Sequence, residues 1–177
     1  ATTNPRLYYS SGYYADYYLA PWKTVFDQYG VEPLYYNVVN EPDDKKRDQP
    51  SWLVKEHGRE FARRARELGL STTISWADSE SVDREMRYIN EQKDSGIFDD
   101  GTVGTISYHA YGSTNETSWR NQIRDFARSK NLPTAMTENN RADVFEFVDD
   151  LVKADVSRYL PPHYFNTAVN DINASRT

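Results

Sequence analysis

The sequence predicts an α/β fold in which helices alternate with the strands of a parallel sheet, and three observations carry that expectation. Runs of strand-like and helix-like periodicity follow one another from start to finish. Glycines stand where one run gives way to the next, at Gly30, Gly69, Gly96 and Gly112. Polar residues of one chemical kind, Glu41, Asp78, His109 and Glu138, sit at or just past the ends of successive strand-like runs. With 177 residues and no linker, repeat or low-complexity segment, the chain reads as a single domain spanning residues 1–177.

The first helical stretch runs from Tyr13 to Tyr29, with Tyr18, Trp22, Val25, Phe26 and Tyr29 at helical spacing. Pro21 is expected to start, kink or split it, and Gly30 to stop it. Pro33 to Val39 is a short aromatic and β-branched run that reads as the first strand. Ser51 is placed to cap a helix reaching Leu68, with Phe61, Ala65 and Leu68 inward and Gly69 ending it. The second strand is Ser71 to Ala77, followed by a helix with Val82, Met86 and Ile89 on one face that ends near Gly96. Gly104 to Tyr111 gives the third strand, closed by Gly112. Trp119, Ile123, Phe126 and Ala127 mark the next helix, and Leu132 to Thr137 the fourth strand. A helix with Val144, Phe145, Val148, Leu151 and Val152 follows, and a fifth strand is expected from His163 to Val169.

Composition narrows the functional classes. The 27 acidic and 21 basic residues leave a net charge of -6, and no Lys or Arg stripe is present to neutralise phosphates, so nucleic acid is not an expected partner. There are no cysteines, which excludes disulfides, thiolate metal sites and a thiol nucleophile. No apolar run approaches the ~20 residues that cross a bilayer, so no membrane partner is expected. The histidines lack metal-ligand spacing and no phosphate-cradling glycine loop occurs, so neither a metal nor another cofactor is implied. Tyrosines crowd the first third of the chain, and flat aromatic faces suit sugar rings as well as cores.

Two segments carry the chemistry. Val38-Val39-Asn40-Glu41-Pro42 and Ala135-Met136-Thr137-Glu138-Asn139 each place a glutamate where an apolar run stops. Cleavage of a glycosidic bond needs two carboxyl groups facing each other across a sugar, one to donate a proton and one to act as nucleophile or base. The pair resembles the strand-four Asn-Glu-Pro and strand-seven Thr-Glu signatures of the retaining glycosidases of clan GH-A. Within that clan, the succession Tyr14-Ala15-Asp16-Tyr17-Tyr18-Leu19, Tyr29-Gly30-Val31 and Asn40-Glu41-Pro42-Asp43 is most similar to family GH30. Pro21 and the charged loop from Asp43 to Asp48 depart from the GH30 pattern. The resemblance implies a partial (β/α)8 TIM barrel of about five parallel strands, running from helix three to strand eight, without the N-terminal strands. A full barrel usually takes ~250 residues.

The same resemblance implies a retaining hydrolase acting on a polysaccharide or oligosaccharide by double displacement, with Glu41 as acid/base and Glu138 as nucleophile. It assigns Asn40 to the sugar 2-hydroxyl, and Trp76, Asp78, His109 and Tyr111 to substrate binding, the last two from the strand-six-like segment Ile106 to Gly112. Arg141 is expected to support the ionised form of Glu138, and Pro42 to hold Glu41 in an extended backbone. The partner is a carbohydrate, and the family habit is secretion. Two other readings stay open: an inert barrel fragment or glycan-binding scaffold, and a metal-dependent hydrolase using Asp43, Asp78, His109 and Glu138. Missing strands would leave open edges that invite self-association or the remainder of a barrel.

Overall fold

The computed structural model describes residues 11–111, 116–139 and 144–159. Helices and strands alternate as α1 (Ser11–Tyr29), β1 (Tyr35–Asn37), α2 (Ser51–Glu67), β2 (Thr73–Ser79), α3 (Val82–Gln92), β3 (Val103–His109), α4 (Glu116–Ser129), β4 (Thr134–Glu138), α5 (Val144–Lys153) and β5 (Val156–Tyr159). The five strands form one sheet in the order β1-β2-β3-β4-β5, every neighbouring pair parallel. A sheet wound in one direction, each strand beside the last, is the wall of a (β/α) barrel. The fold is therefore α/β, of TIM-barrel type and partial.

The two faces of the sheet divide the chemistry. Toward the helices point Ile74, Trp76, Ile106, Tyr108 and Met136, all at most 1% exposed, which pack with Phe61, Ile89 and Ile123 into the core. Gly58 lets α2 approach closely, since a Cβ there would stand 2.4 Å from Ile74 Cδ1. A buried ion pair, Arg120 Nε to Asp150 Oδ1 at 2.5 Å, joins α4 to α5 and takes in the Tyr108 hydroxyl at 2.8 Å from that same oxygen. On the other face Ser75 meets Ser107 at 2.6 Å, and a Cβ on Gly104 would fall on Thr73 and the Tyr35 ring. The Arg158 guanidinium on β5 lies 4.4 Å from the centre of the Tyr35 ring on β1. These are the two edge strands of the sheet, so the wall is curled far enough for them to meet across its concave side.

Several local expectations change. α1 runs unbroken through Pro21; Ala15 and Leu19 seat it in the core, and the Thr24 hydroxyl donates to the Ala20 carbonyl at 3.1 Å beside the proline. β1 is only three residues, because the Asn37 side chain accepts the Val39 N–H at 3.0 Å and turns the chain out of the sheet. Ser51 opens α2 without capping it; Pro50 is the cap residue, and the Ser51 hydroxyl accepts from Gln92 Nε2 at 2.9 Å. Leu68 lies at the surface while Leu70 takes the core position. On α5, Phe145, Val148, Leu151 and Val152 are exposed. The described fifth strand is Val156–Tyr159, and the expected strand from His163 to Val169 lies outside the described residues, as do Gly112 and Arg141.

Candidate active site

The site forms at the carboxyl ends of β1 to β4, where a parallel barrel gathers its loops. Glu41 follows the short β1 and adopts a left-handed backbone, φ 47°. The extended conformation expected from Pro42 is not the one found. Pro42 disfavours only the right-handed helical region for its neighbour. A hydrogen bond from the Glu41 N–H to the Asp78 carbonyl at 3.0 Å holds the left-handed alternative, and the Glu41 carbonyl accepts the Asp44 N–H at 3.1 Å. The Glu41 side chain then turns inward, with Oε1 3.0 Å from His109 Nδ1 and Oε2 3.4 Å from Arg47 Nη1.

Glu138 is the last residue of β4 and stands beside His109 in the sheet register. Its Oε1 accepts the Tyr111 hydroxyl at 2.6 Å, and Oε2 lies 3.8 Å from His109 Nε2. The backbone locks the pair of strands, since the Ala110 N–H donates to the Glu138 carbonyl at 3.1 Å. One side-chain ligand atom each from Glu41, His109 and Glu138 all lie within 4.8 Å of one another. The two glutamates, distant in sequence, thus face one another with the imidazole between them.

Asp78 supports this group from beneath. Its carboxylate accepts the Asn37 amide on one oxygen and the Thr137 hydroxyl on the other, with His109 Nε2 3.6 Å away. Three carboxyl groups, those of Glu41, Asp78 and Glu138, thus stand around one buried ring. Burial pulls the His109 pKa down, but hydrogen bonding and charge from Asp78, the hydrogen bond to Glu41 and the charge of Glu138 outweigh it, and the net shift is upward. Burial and the Glu138 hydrogen bond likewise push the Tyr111 phenol up, so it remains a donor.

Of the residues singled out from the sequence, the fold brings Glu41, Asp78, His109, Tyr111 and Glu138 together. Asn40 adjoins them but is exposed, its carbonyl accepting from Arg47. Trp76 is elsewhere: it is 0% exposed on the helix side of the sheet, edge-on to Phe98 at 5.1 Å, and offers no free face to a ligand. Asp43 belongs to a separate pair with Arg84 at 3.3 Å and also accepts the Glu80 N–H at 3.0 Å. Sequence reasoning passed over Asn37, Thr137 and Arg47. Thr137 is the threonine of the Thr-Glu motif and Asn37 stands three residues before Asn40, so proximity to the glutamates was the available signal. A cavity of about 790 Å³ opens beside Arg47 and Asn40, walled by Tyr14, Tyr18, Tyr36 and Trp52. Three tyrosines of the first third thus line a groove that reaches Asn37, Asn40 and Arg47. If a cation were held at this site, Glu41, His109 and Glu138 offer the donor atoms.

No protein-family model matches this chain, and none of the curated proteins does either. Solved structures do resemble it. The catalytic domain of the GH30 xylanase C of Talaromyces cellulolyticus superposes with a TM-score of 0.62 at 16% identity, covering 84% of this chain and 38% of that one. A conserved exported protein of Bacteroides fragilis gives 0.65 at 14%, covering 89% and 42%. An endo-β1,6-glucanase gives 0.60 at 16%, covering 89% and 38%. The chain thus spans about two fifths of the length of these neighbours and shares their fold over that portion.

Proposed function

We propose that this chain carries the reacting carboxyl pair of a retaining glycoside hydrolase, with Glu41 as acid/base and Glu138 as nucleophile. The observation that carries the reading is the convergence of Glu41 and Glu138 to within 4.8 Å, oxygen to oxygen, from beyond the end of β1 and from the end of β4. A double displacement asks for carboxyls ~5 to 5.5 Å apart, close enough that no water fits between nucleophile and sugar. Tyr111 fixes Glu138 by its hydroxyl, leaving the second carboxylate oxygen to attack. Glu138 bonds to the anomeric carbon as the glycosidic bond breaks, and Glu41 gives its proton to the departing oxygen. Glu41 then takes a proton from water, whose oxygen displaces Glu138 from the same carbon. The substrate class is a glycan, in keeping with the xylanase and glucanase among the structural neighbours, and the exported neighbour supports work outside the cell.

Glu41→Gln and Glu138→Gln should each lower hydrolysis of β-linked glycans by about 10²–10⁴-fold or more while the protein stays folded. Full activity in either variant rejects the assignment. Glu41→Gln should recover on aryl glycosides with good leaving groups, which need no proton. The cation-binding reading draws on the Glu41, His109 and Glu138 donor set. Hydrolysis unchanged by a chelator would set it aside.

A further inference from the structure

We propose that Glu85 is a positioning residue for this site, its buried carboxyl clamping the turn at the end of β2 and thereby setting where Asp78 and the groups bound to it stand. The proposal rests on the reading of Glu41 and Glu138 as the reacting pair. Asp78 has φ 61°, a conformation that L residues adopt at some energetic cost and that persists when surroundings enforce it. At this point the β2–β3 register slips between Ala77 and Ser79, as in a bulge.

The enforcing group comes from α3. Glu85 accepts the Ala77 N–H at 3.2 Å on Oε1 and 3.4 Å on Oε2, and the Ser79 N–H at 3.2 Å on Oε2. These two N–H groups flank Asp78, so one carboxyl holds both sides of the strained residue. Glu85 is 0% exposed, and burying a carboxyl without a cation is unfavourable unless its oxygens are used. Burial, opposed by the Ser79 and Ala77 hydrogen bonds, pushes its pKa up to about 8, so at neutral pH the group is mostly the neutral acid. An amide of the same shape should therefore serve in its place.

What Glu85 holds matters because Asp78 contacts Glu41 and residues of β1, β3 and β4. Its carbonyl accepts the Glu41 N–H, its carboxylate accepts Asn37 from β1 and Thr137 from β4, and it lies against His109 of β3. A turn free to relax toward ordinary backbone angles would displace all four contacts at once. Misplacement of reacting groups by about 1 Å is enough to lower a rate by about a hundredfold.

The test compares Glu85→Met, which keeps volume and removes the acceptors, with Glu85→Gln, which keeps one carbonyl oxygen within reach of both N–H groups. Amide exchange at Ala77 and Ser79 is followed by NMR on the whole chain, with Tm, and with kcat and KM on 4-nitrophenyl β-glycosides. In Glu85→Met, exchange at these two amides should rise about tenfold or more against unchanged exchange in β3, and kcat should fall about tenfold or more with KM within about twofold. Glu85→Gln should stay within about threefold of the parent. Unchanged exchange and kcat in Glu85→Met overturns the proposal, as does a rate loss that only follows the folded fraction or that Glu85→Gln shares. Should Glu85→Met not fold, Glu85→Asp, one methylene too short to reach both amides, is expected to show the same pattern more weakly, and parent-like behaviour there overturns the proposal. If the parent is inert toward every glycoside, the reading of the reacting pair falls, and amide exchange alone decides the clamp.

Discussion

Tyr111 and Glu138 show how one hydrogen bond can tie a strand end to a reacting group. The hydroxyl sits 2.6 Å from a carboxylate oxygen, and a bond to a charged partner contributes about 1.5–3 kcal/mol. Tyr111→Phe should accordingly lower kcat about 10- to 100-fold with little change in Tm, as steady-state kinetics and calorimetry would show. Glu85 makes a pH prediction whose sign is fixed by linkage. Its folded pKa, about 8, lies above the unfolded value of 4.5, so the native state binds the extra proton and the contribution to stability is lost as pH rises between the two. Urea unfolding of the parent should show this loss across pH 5 to 8, and Glu85→Gln should flatten it; an unchanged slope would contradict the buried-acid account.

Among the elements, β2 and β3 make the concave wall, and its tightest point is Gly104 under the Tyr35 ring. Gly104→Ala forces that ring and Thr73 aside and should destabilise the protein by about 1–3 kcal/mol in chemical denaturation. The alternation of elements was legible because α2, α3 and α4 each bury an apolar stripe and each inner strand alternates between core and cavity, as Ile74, Trp76, Ile106 and Tyr108 do on one side and Ser75 and Ser107 on the other. The strand ends were legible for the same reason, and four polar residues at four ends pointed to one location. Other features turn on tertiary contacts that periodicity does not encode. Trp76 stands in the middle of β2 rather than at its end, and core packing brings it edge-on to Phe98. The left-handed backbone at Glu41 goes with its N–H bond to the Asp78 carbonyl, and that at Asp78 with the flanking amides that donate to Glu85. The spacing of apolar residues on α5 reads as a helix, and Phe145 and Val152 on this stripe are 77% and 69% exposed.

For the molecule as a whole, that stripe and the two edge strands define an unfinished wall. The neighbours are more than twice as long as the aligned portion, and they share the fold at 14–16% identity. No helix among the described residues is long and apolar enough to cross a membrane, so the exposed side chains of α5 are not a spanning segment. Exposed apolar faces and unpaired strand edges favour association. Light scattering of this chain alone should give a mass above that of the monomer, and replacing Phe145 and Val152 by serine should lower it; a stable monomer at all concentrations would contradict this. The central claim, that Glu138 attacks the sugar while Glu41 handles the proton, is tested most directly by incubating the protein with 2-deoxy-2-fluoro-β-glycosides that slow release of the glycosyl-enzyme, and mapping the modified peptide by mass spectrometry. The account predicts one sugar covalently bound at Glu138; a label on another residue would contradict it.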